Sequence, residues 1–168
     1  MAAPARLDRG RNLWIVTTAL SRYAPAVLSV FRVVYGLLFA AYGSRSLFDW
    51  PVSSPVRVGF GSWPGWYAGL IEVVAGVLIA IGLFTRAVAF VASGQMAVAY
   101  FWIHQPQALW PVADPPAGNG GGLSILFCFA FFLLVFTGGG NYSLDALRER
   151  HFPSNGDNAE KPLPRSRG

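Results

Sequence analysis

Residues 69–104 read GLIEVVAGVLIAIGLFTRAVAFVASGQMAVAYFWIH and contain most of two long apolar runs, 65–84 and 87–103. Only a Thr-Arg dipeptide separates the runs, so the sequence predicts two antiparallel helices joined by a very tight turn. Each run approaches the roughly 20 residues that a helix needs to cross a bilayer. The stretch therefore predicts a membrane-embedded helical hairpin.

The rest of the chain extends this pattern. Of its 168 residues, 54% are hydrophobic and only 12% are charged, whereas a soluble domain is usually about 25% charged. Two further apolar runs, 24–43 and 121–136, bring the number of predicted spans to four. The predicted fold is an all-α integral membrane four-helix bundle, and the lipid bilayer is the partner that this fold implies.

The basic residues predict the orientation of the bundle. They concentrate in the N-terminal segment, in the Thr-Arg turn and beyond the last span, while the other two loops carry only Arg45 and Arg57. By the positive-inside rule, both termini are cytoplasmic and the protein is a multi-pass protein of the inner (plasma) membrane. The net charge of +5 is explained by the basic residues on the predicted cytoplasmic side. No Lys/Arg cluster interleaved with aromatics suggests a nucleic-acid partner.

Three regions follow from this topology. Residues 1–23 form a cytoplasmic N-terminal segment, in which 12–23 have the spacing of a short helix lying on the membrane surface. Residues 24–141 form the transmembrane domain. Residues 142–168 form a short cytoplasmic helix, with Ser143 as its N-cap, followed by a polar, Pro-rich tail that we expect to be disordered.

Each of the first three spans contains one residue that hydrocarbon disfavours: Arg32, Glu72 and Gln95. Small residues three or four positions away place each of them on the helix face that permits close packing. We therefore expect the three side chains to form a buried polar cluster, with Arg32 paired to Glu72 because an isolated charge in a bilayer is costly. Either the pair only holds the helices in register, or the cluster forms a polar site for a small anion, a proton or a quinone headgroup.

A second candidate group lies at the outer ends of the spans. His104 follows the third span, and Asp49 and Asn119 lie in the outer loops, where they could gather around it. A lone histidine at a helix end is more often a surface residue than a metal ligand, and no second His or Cys accompanies it, so we predict no metal site. The single cysteine, Cys128, excludes an intrachain disulfide. No cofactor is evident from the residues, and a quinone is the one that the polar cluster could accept.

Three stretches, FRVVYGLLFAAYGSRSLF, the 69–104 segment and NGGGLSILFCFAFFLLVFTGGGNYSLD, together resemble the DoxX family of small four-span bacterial membrane proteins. Arg32, Glu72 and His104 match the family's charged and histidine positions. One difference is Gly122, where relatives often carry a glutamate. The resemblance implies a four-helix membrane bundle that partners redox proteins, either the quinone-linked subunit of thiosulfate oxidation or, in actinobacteria, enzymes of superoxide and thiol detoxification.

Three functions stay open at this point. The first is an accessory or anchoring subunit of a redox or oxidative-stress detoxification complex, which agrees with the lack of any cofactor-ligand set. The second is a quinone-linked oxidoreductase subunit, with proton-bearing side chains beside an apolar slot. The third is a small-solute permease, for which four short spans leave little room unless the protein is a homo-oligomer.

Overall fold

The computed structural model describes residues 21–54 and 58–151. Within these ranges every regular element is helical, which confirms the all-α prediction there. Most of the predicted surface helix, Arg57 and the predicted disordered tail lie outside the described residues.

Five helices follow one another in the part of the chain that the structure describes. They are α1 (Ala24–Phe48), α2 (Gly65–Ile81), α3 (Thr85–Ala99), α4 (Gly122–Thr137) and α5 (Leu144–His151). A π-helical turn, Tyr100–His104, continues α3 without a break. The helix α1 is longer than predicted, and α2 is shorter because Gly82 adopts a left-handed conformation (φ 74°) and ends it.

The helices α1 to α4 are apolar on both their inner and outer faces. Two continuous helical stretches, Ala24–Phe48 and Thr85–His104, are long and apolar enough to cross a membrane, and α2 and α4 are shorter apolar helices. Large side chains such as Leu37, Phe90 and Phe129 point outward and are exposed. Helices that are apolar all round are typical of a bilayer environment. The described helices are therefore those of a membrane protein.

Glycines bring α1 and α2 into direct backbone contact. A Cβ atom at Gly36 would lie 2.7 Å from both the amide nitrogen of Ala80 and the carbonyl oxygen of Gly76. A Cβ atom at Gly76 would lie 2.5 Å from the amide nitrogen of Ala40. No side chain larger than hydrogen fits at either position, so small residues set the spacing of this helix pair.

An aromatic and aliphatic core joins α1 and α2 to α3 and α4. Phe39, Ile79, Phe131 and Leu134 are almost completely buried at its centre. The rings of Phe39 and Phe131 meet edge to face, with centroids 4.7 Å apart. Between α3 and α4 the hydroxyl of Ser93 donates a hydrogen bond of 2.9 Å to a backbone carbonyl of α4. This packing leaves two polar regions, one at each end of the bundle.

Candidate functional site

Arg32 is buried, as expected from its position on the small-residue face of α1, but its partners differ from the predicted one. The side chain is 3% exposed. Its Nη1 atom donates a hydrogen bond of 2.6 Å to the carbonyl oxygen of Gly139, and Nη2 donates one of 3.0 Å to the carbonyl oxygen of Tyr142. Both acceptors belong to the loop between α4 and α5. The predicted pairing of Arg32 with Glu72 is therefore wrong.

The physical reason is the relative position of α1 and α2. Arg32 lies beside Gly82, at the end of α2 where the chain turns into α3. Glu72 lies beside Gly43, because a Cβ atom on Gly43 would be 2.7 Å from the Cβ atom of Glu72. Arg32 and Gly43 are separated by roughly 16 Å along α1, at 1.5 Å per residue. We call these two levels the Arg32 end and the His104 end of the bundle.

At the Arg32 end, the helix α5 is bound to the turn between α2 and α3. The carboxylate of Asp145 accepts hydrogen bonds of 2.8 Å from the backbone N–H groups of Phe84 and Thr85. The backbone N–H of Asp145 donates a hydrogen bond of 2.9 Å to the carbonyl oxygen of Gly82. Burial raises the pKa of Asp145, but the N–H donors of Thr85 and Phe84 and the charge of Arg32 outweigh it, so this pKa lies below its ordinary value. The predicted Ser143 N-cap is confirmed by a 3.1 Å bond from the N–H of Ala146 to the hydroxyl oxygen of Ser143.

Toward the His104 end, the structure does bring two members of the predicted cluster together. The Nε2 atom of Gln95 donates hydrogen bonds to Oε1 of Glu72 at 3.3 Å and to the carbonyl oxygen of Ala68 at 3.5 Å. Both side chains are half-buried between α2 and α3. The polar cluster is thus a Glu72–Gln95 pair, with Arg32 at a separate level.

Glu72 also lines a cavity of about 410 Å³ among α1, α2, α3 and α4. His104 and Arg45 line the same cavity, together with hydroxyl groups from Ser46 and Ser124. Its apolar wall is formed by Phe39, Tyr42, Met96, Leu123 and Phe127. Two side chains that can hold a proton therefore share one cavity with a positive charge and an aromatic surface.

Of the predicted outer group, the structure joins His104 to Asn119 but not to Asp49. The Nδ1 atom of His104 lies 2.9 Å from the carbonyl oxygen of Asn119. The buried side chain of Asn119 donates to the carbonyl oxygen of Ala108 and accepts from the N–H of Gly121, both at 2.8 Å. Asn119 therefore shapes the loop that orients His104. Asp49 instead accepts a 2.9 Å bond from the N–H of Ser54.

Sequence reasoning missed Arg45 and the π-helical turn. The sequence indicates only a loop charge at Arg45, because the predicted first span ends at residue 43. Its spacing from Tyr42 could have placed it on the cavity face. The π-helical turn, closed by a 2.8 Å bond from the N–H of Gln105 to the carbonyl oxygen of Tyr100, has no sequence signature. Such turns frequently occur at functional sites.

No group of three or more metal-ligating side chains occurs in residues 21–54 and 58–151.

Comparison with known proteins gives two matching family descriptions. One, DoxX, matches residues 27–105, and the other, TQO small subunit DoxD, matches residues 67–162. An uncharacterized protein of Haemophilus influenzae is 35% identical over 130 residues, which is 75% of this chain and 93% of the relative. No solved structure matches the chain.

Proposed function

The chain belongs to the DoxX family, and from that premise we propose that it is the membrane subunit of a quinone-linked redox complex of the thiosulfate:quinone type. One observation carries this proposal: Glu72 and His104 line one cavity that also has an apolar and aromatic wall. Quinone chemistry requires a proton-bearing group beside an apolar slot. The match to the TQO small subunit description supports the same reading.

The residues around Glu72 fit a quinone headgroup by chemistry and by size. A cavity of about 410 Å³ lies within the usual range for small-molecule sites. Phe39 and Phe127 offer ring surfaces, and His104, oriented by the carbonyl of Asn119, offers a second proton site. A bound quinone would supply the two-electron redox chemistry. Glu72 and His104 would hold and release protons at Oε and at the ring nitrogens.

The electrons must reach the site from a partner enzyme, because none of the side chains that line the cavity is an electron carrier. The chain therefore acts as an accessory subunit that anchors the partner and couples it to the membrane. The Arg32 end offers a surface for this contact, since α5 is bound firmly to the α2–α3 turn through Asp145 and its basic side chains are exposed.

The proposed orientation is multi-pass in the inner membrane, with four spans and both termini cytoplasmic. Its support is the grouping of charges at one end. Arg22 precedes α1, Arg86 follows the α2–α3 turn, and Arg148 and Arg150 lie on α5, all at the Arg32 end. The positive-inside rule assigns that end to the cytoplasm, and the Glu72 cavity then faces the outer half of the membrane.

The Glu72→Gln variant tests the function. Membranes from cells that produce the chain together with its native partners are supplied with thiosulfate, and reduction of added decylubiquinone is followed by absorbance. We expect Glu72→Gln to lower the rate about 100-fold, because a positioned proton-transfer group contributes on this order. The fold should survive, since the new amide oxygen still accepts from Gln95.

Asp114→Asn is the matched control, because Asp114 is an exposed acidic residue of the loop at the same end and does not line the cavity. Its rate should stay within about twofold of the unmodified protein, as is usual for a substitution away from the reacting groups. Full activity in Glu72→Gln, or no thiosulfate-dependent quinone reduction in membranes that contain the chain and its partners, would refute the proposal.

A further inference from the structure

Two polar side chains of the cavity of about 410 Å³, Arg45 and Ser124, have no part in the proton chemistry proposed above. Tyr42 and Phe127 line the same cavity, and their ring centroids are 5.9 Å apart. Arg45 follows Tyr42 by three residues on α1, and Ser124 precedes Phe127 by three on α4, so each shares a helix face with its ring. Because α1 runs toward the His104 end and α4 begins there, both side chains lie one turn beyond the ring pair. We call Arg45 and Ser124 the donor pair.

Ser124 offers a hydroxyl group that no group in the described part of the protein uses. The residue is 8% exposed, and none of the hydrogen bonds within residues 21–54 and 58–151 involves its hydroxyl. The buried side-chain atoms there that lack a partner and are closed off from solvent belong to Arg32, Thr85 and Gln95. The Oγ atom of Ser124 is not one of them, so it is open to the cavity that the residue lines. Buried polar groups nearly always have a partner, and a ligand in the cavity would provide one.

Arg45 adds a positive charge to the same part of the cavity. Its side chain is half-buried. Within the described residues it makes no ion pair, and its Nε atom donates one long hydrogen bond of 3.4 Å to the carbonyl oxygen of Ser53. The two terminal nitrogens keep their donors, and an arginine does not lose its proton in a protein. Hydrogen bonds from such a cation are strongest to a negatively charged oxygen.

The donor pair and Glu72 approach the cavity from different helices. Glu72 enters from α2, and its Oε1 atom is held by Gln95 of α3 at 3.3 Å, whereas the donor pair belongs to α1 and α4. The rings of Phe39 and Phe127, with centroids 5.4 Å apart, line the same space. A flat ring with two oxygen atoms fits this arrangement, with one oxygen at the acid and the other at the donor pair.

We propose that the donor pair binds a negatively charged oxygen on a ring ligand, so that the cavity selects a ring with such an oxygen over the same ring without it. The identity of the ring as a quinone rests on the proposed function. Reduction of a quinone takes two electrons, here from the partner enzyme, and two protons, here through Glu72 and His104. Negative charge develops on the ring oxygens as the electrons arrive, and the donor pair would hold one of these oxygens.

Three probes test this selectivity. Lawsone is a naphthoquinone whose ring hydroxyl is ionised at neutral pH, its methyl ether has the same ring without the charge, and inorganic sulfate carries charge without a ring. Full-length protein in phosphatidylcholine nanodiscs is dialysed at neutral pH against each probe, with empty nanodiscs as the blank. We expect lawsone to bind about 10- to 100-fold more tightly than its methyl ether, as for a hydrogen bond to a charged group. Equimolar sulfate should not displace lawsone.

Variants of the donor pair test the location. Ser124→Ala removes a hydroxyl that makes no hydrogen bond within the described residues, so we expect it to fold and to bind lawsone about 3- to 10-fold more weakly. Its affinity for the methyl ether should not change. Arg45→Gln should lower the ratio of the two affinities about tenfold, and Arg45→Lys, which keeps the charge, should lower it less.

Two substitutions away from the cavity serve as matched controls. Arg86→Gln removes an exposed arginine at the Arg32 end, and Ser62→Ala removes the hydroxyl of an exposed serine in an outer loop. Neither residue lines the cavity. Both variants should bind lawsone and its methyl ether as the unmodified protein does.

Equal affinity of the unmodified protein for lawsone and its methyl ether would overturn the inference, and so would a full preference for lawsone in Arg45→Gln. An equal loss of both ring probes in Arg45→Gln would show a structural role and would also overturn it. Displacement by equimolar sulfate would assign the donor pair to a free oxyanion instead of a ring. Absence of lawsone binding would overturn the donor pair as well. The thiosulfate-dependent turnover of Glu72→Gln, which uses no lawsone, decides the proposed function separately.

Discussion

Arg32 shows how backbone carbonyls can accommodate a single charge inside an apolar bundle. Its guanidinium group donates to two backbone carbonyls of the α4–α5 loop, and the planar fork of an arginine suits two acceptors at once. Gly140 permits the close approach of the loop to α1, since a Cβ atom there would lie 3.3 Å from the hydroxyl oxygen of Ser29. Arg32 therefore holds the loop to α1.

The variant Arg32→Met tests this role. It removes both hydrogen bonds and leaves the carbonyl oxygens of Gly139 and Tyr142 without their donor, so we expect the free energy of unfolding to fall by about 2–5 kcal/mol. Thermal unfolding in mild detergent measures the loss. Arg86→Met, which removes an exposed arginine at the same end, should change it by less than about 0.5 kcal/mol. Equal stability of the two variants would contradict the structural role.

Helices α1 and α2 form a pair whose spacing depends on backbone contact. Gly76→Ala places a methyl group 2.5 Å from the amide nitrogen of Ala40, so the helices must separate, and we expect a loss of about 1–3 kcal/mol. Gly94→Ala on α3 is the control, because a Cβ atom there meets nothing within 4 Å. This control should be neutral or more stable by about 0.5–1 kcal/mol. Comparable unfolding temperatures for both variants would be inconsistent with this packing.

The attachment of α5 should depend on pH through Asp145. The folded pKa of this residue lies below its ordinary value, which is about 3.9. Its contribution is therefore complete above about pH 4 and is lost as the pH falls through the lowered folded value. Amide hydrogen exchange of α5, corrected for intrinsic rates, should show protection at about pH 7 and its loss in strong acid.

Asp145→Asn should weaken the protection of α5 at neutral pH and remove its pH dependence, since an amide cannot titrate in this range. Protection that persists equally in the unmodified protein down to about pH 2 would show that other contacts hold α5. The comparison of α5 protection in the two proteins is informative below the ordinary pKa of about 3.9, because the carboxylate of Asp145 becomes protonated only in that range.

For the whole molecule, the proposed topology makes a prediction that can be tested in intact spheroplasts. Single cysteines are introduced as Asp114→Cys and Glu149→Cys in a Cys128→Ala background, because Cys128 is the only native cysteine. Both native side chains are exposed, and they lie at opposite ends of the bundle. A membrane-impermeant maleimide should label position 114 and leave position 149 unlabelled until the membrane is permeabilised. The reverse pattern would invert the orientation.

The amino-acid sequence by itself determined the helical class, the approximate positions of the apolar helices and the face of α1 that carries Arg32. These features depend on hydrophobicity and spacing along one segment, which are local properties. The family resemblance was confirmed as well, because its motifs extend over most of the chain.

Only the tertiary structure decided which groups meet. Helical periodicity shows which face a side chain occupies, but the level at which neighbouring helices cross depends on glycine contacts and loop paths between distant segments. Arg32 therefore donates to the carbonyl oxygen of Gly139, 107 residues away in sequence. Glu72 instead accepts a hydrogen bond from Gln95. The same packing brought Arg45 and Glu72 to one cavity, and no pattern within a single segment shows that these two side chains meet.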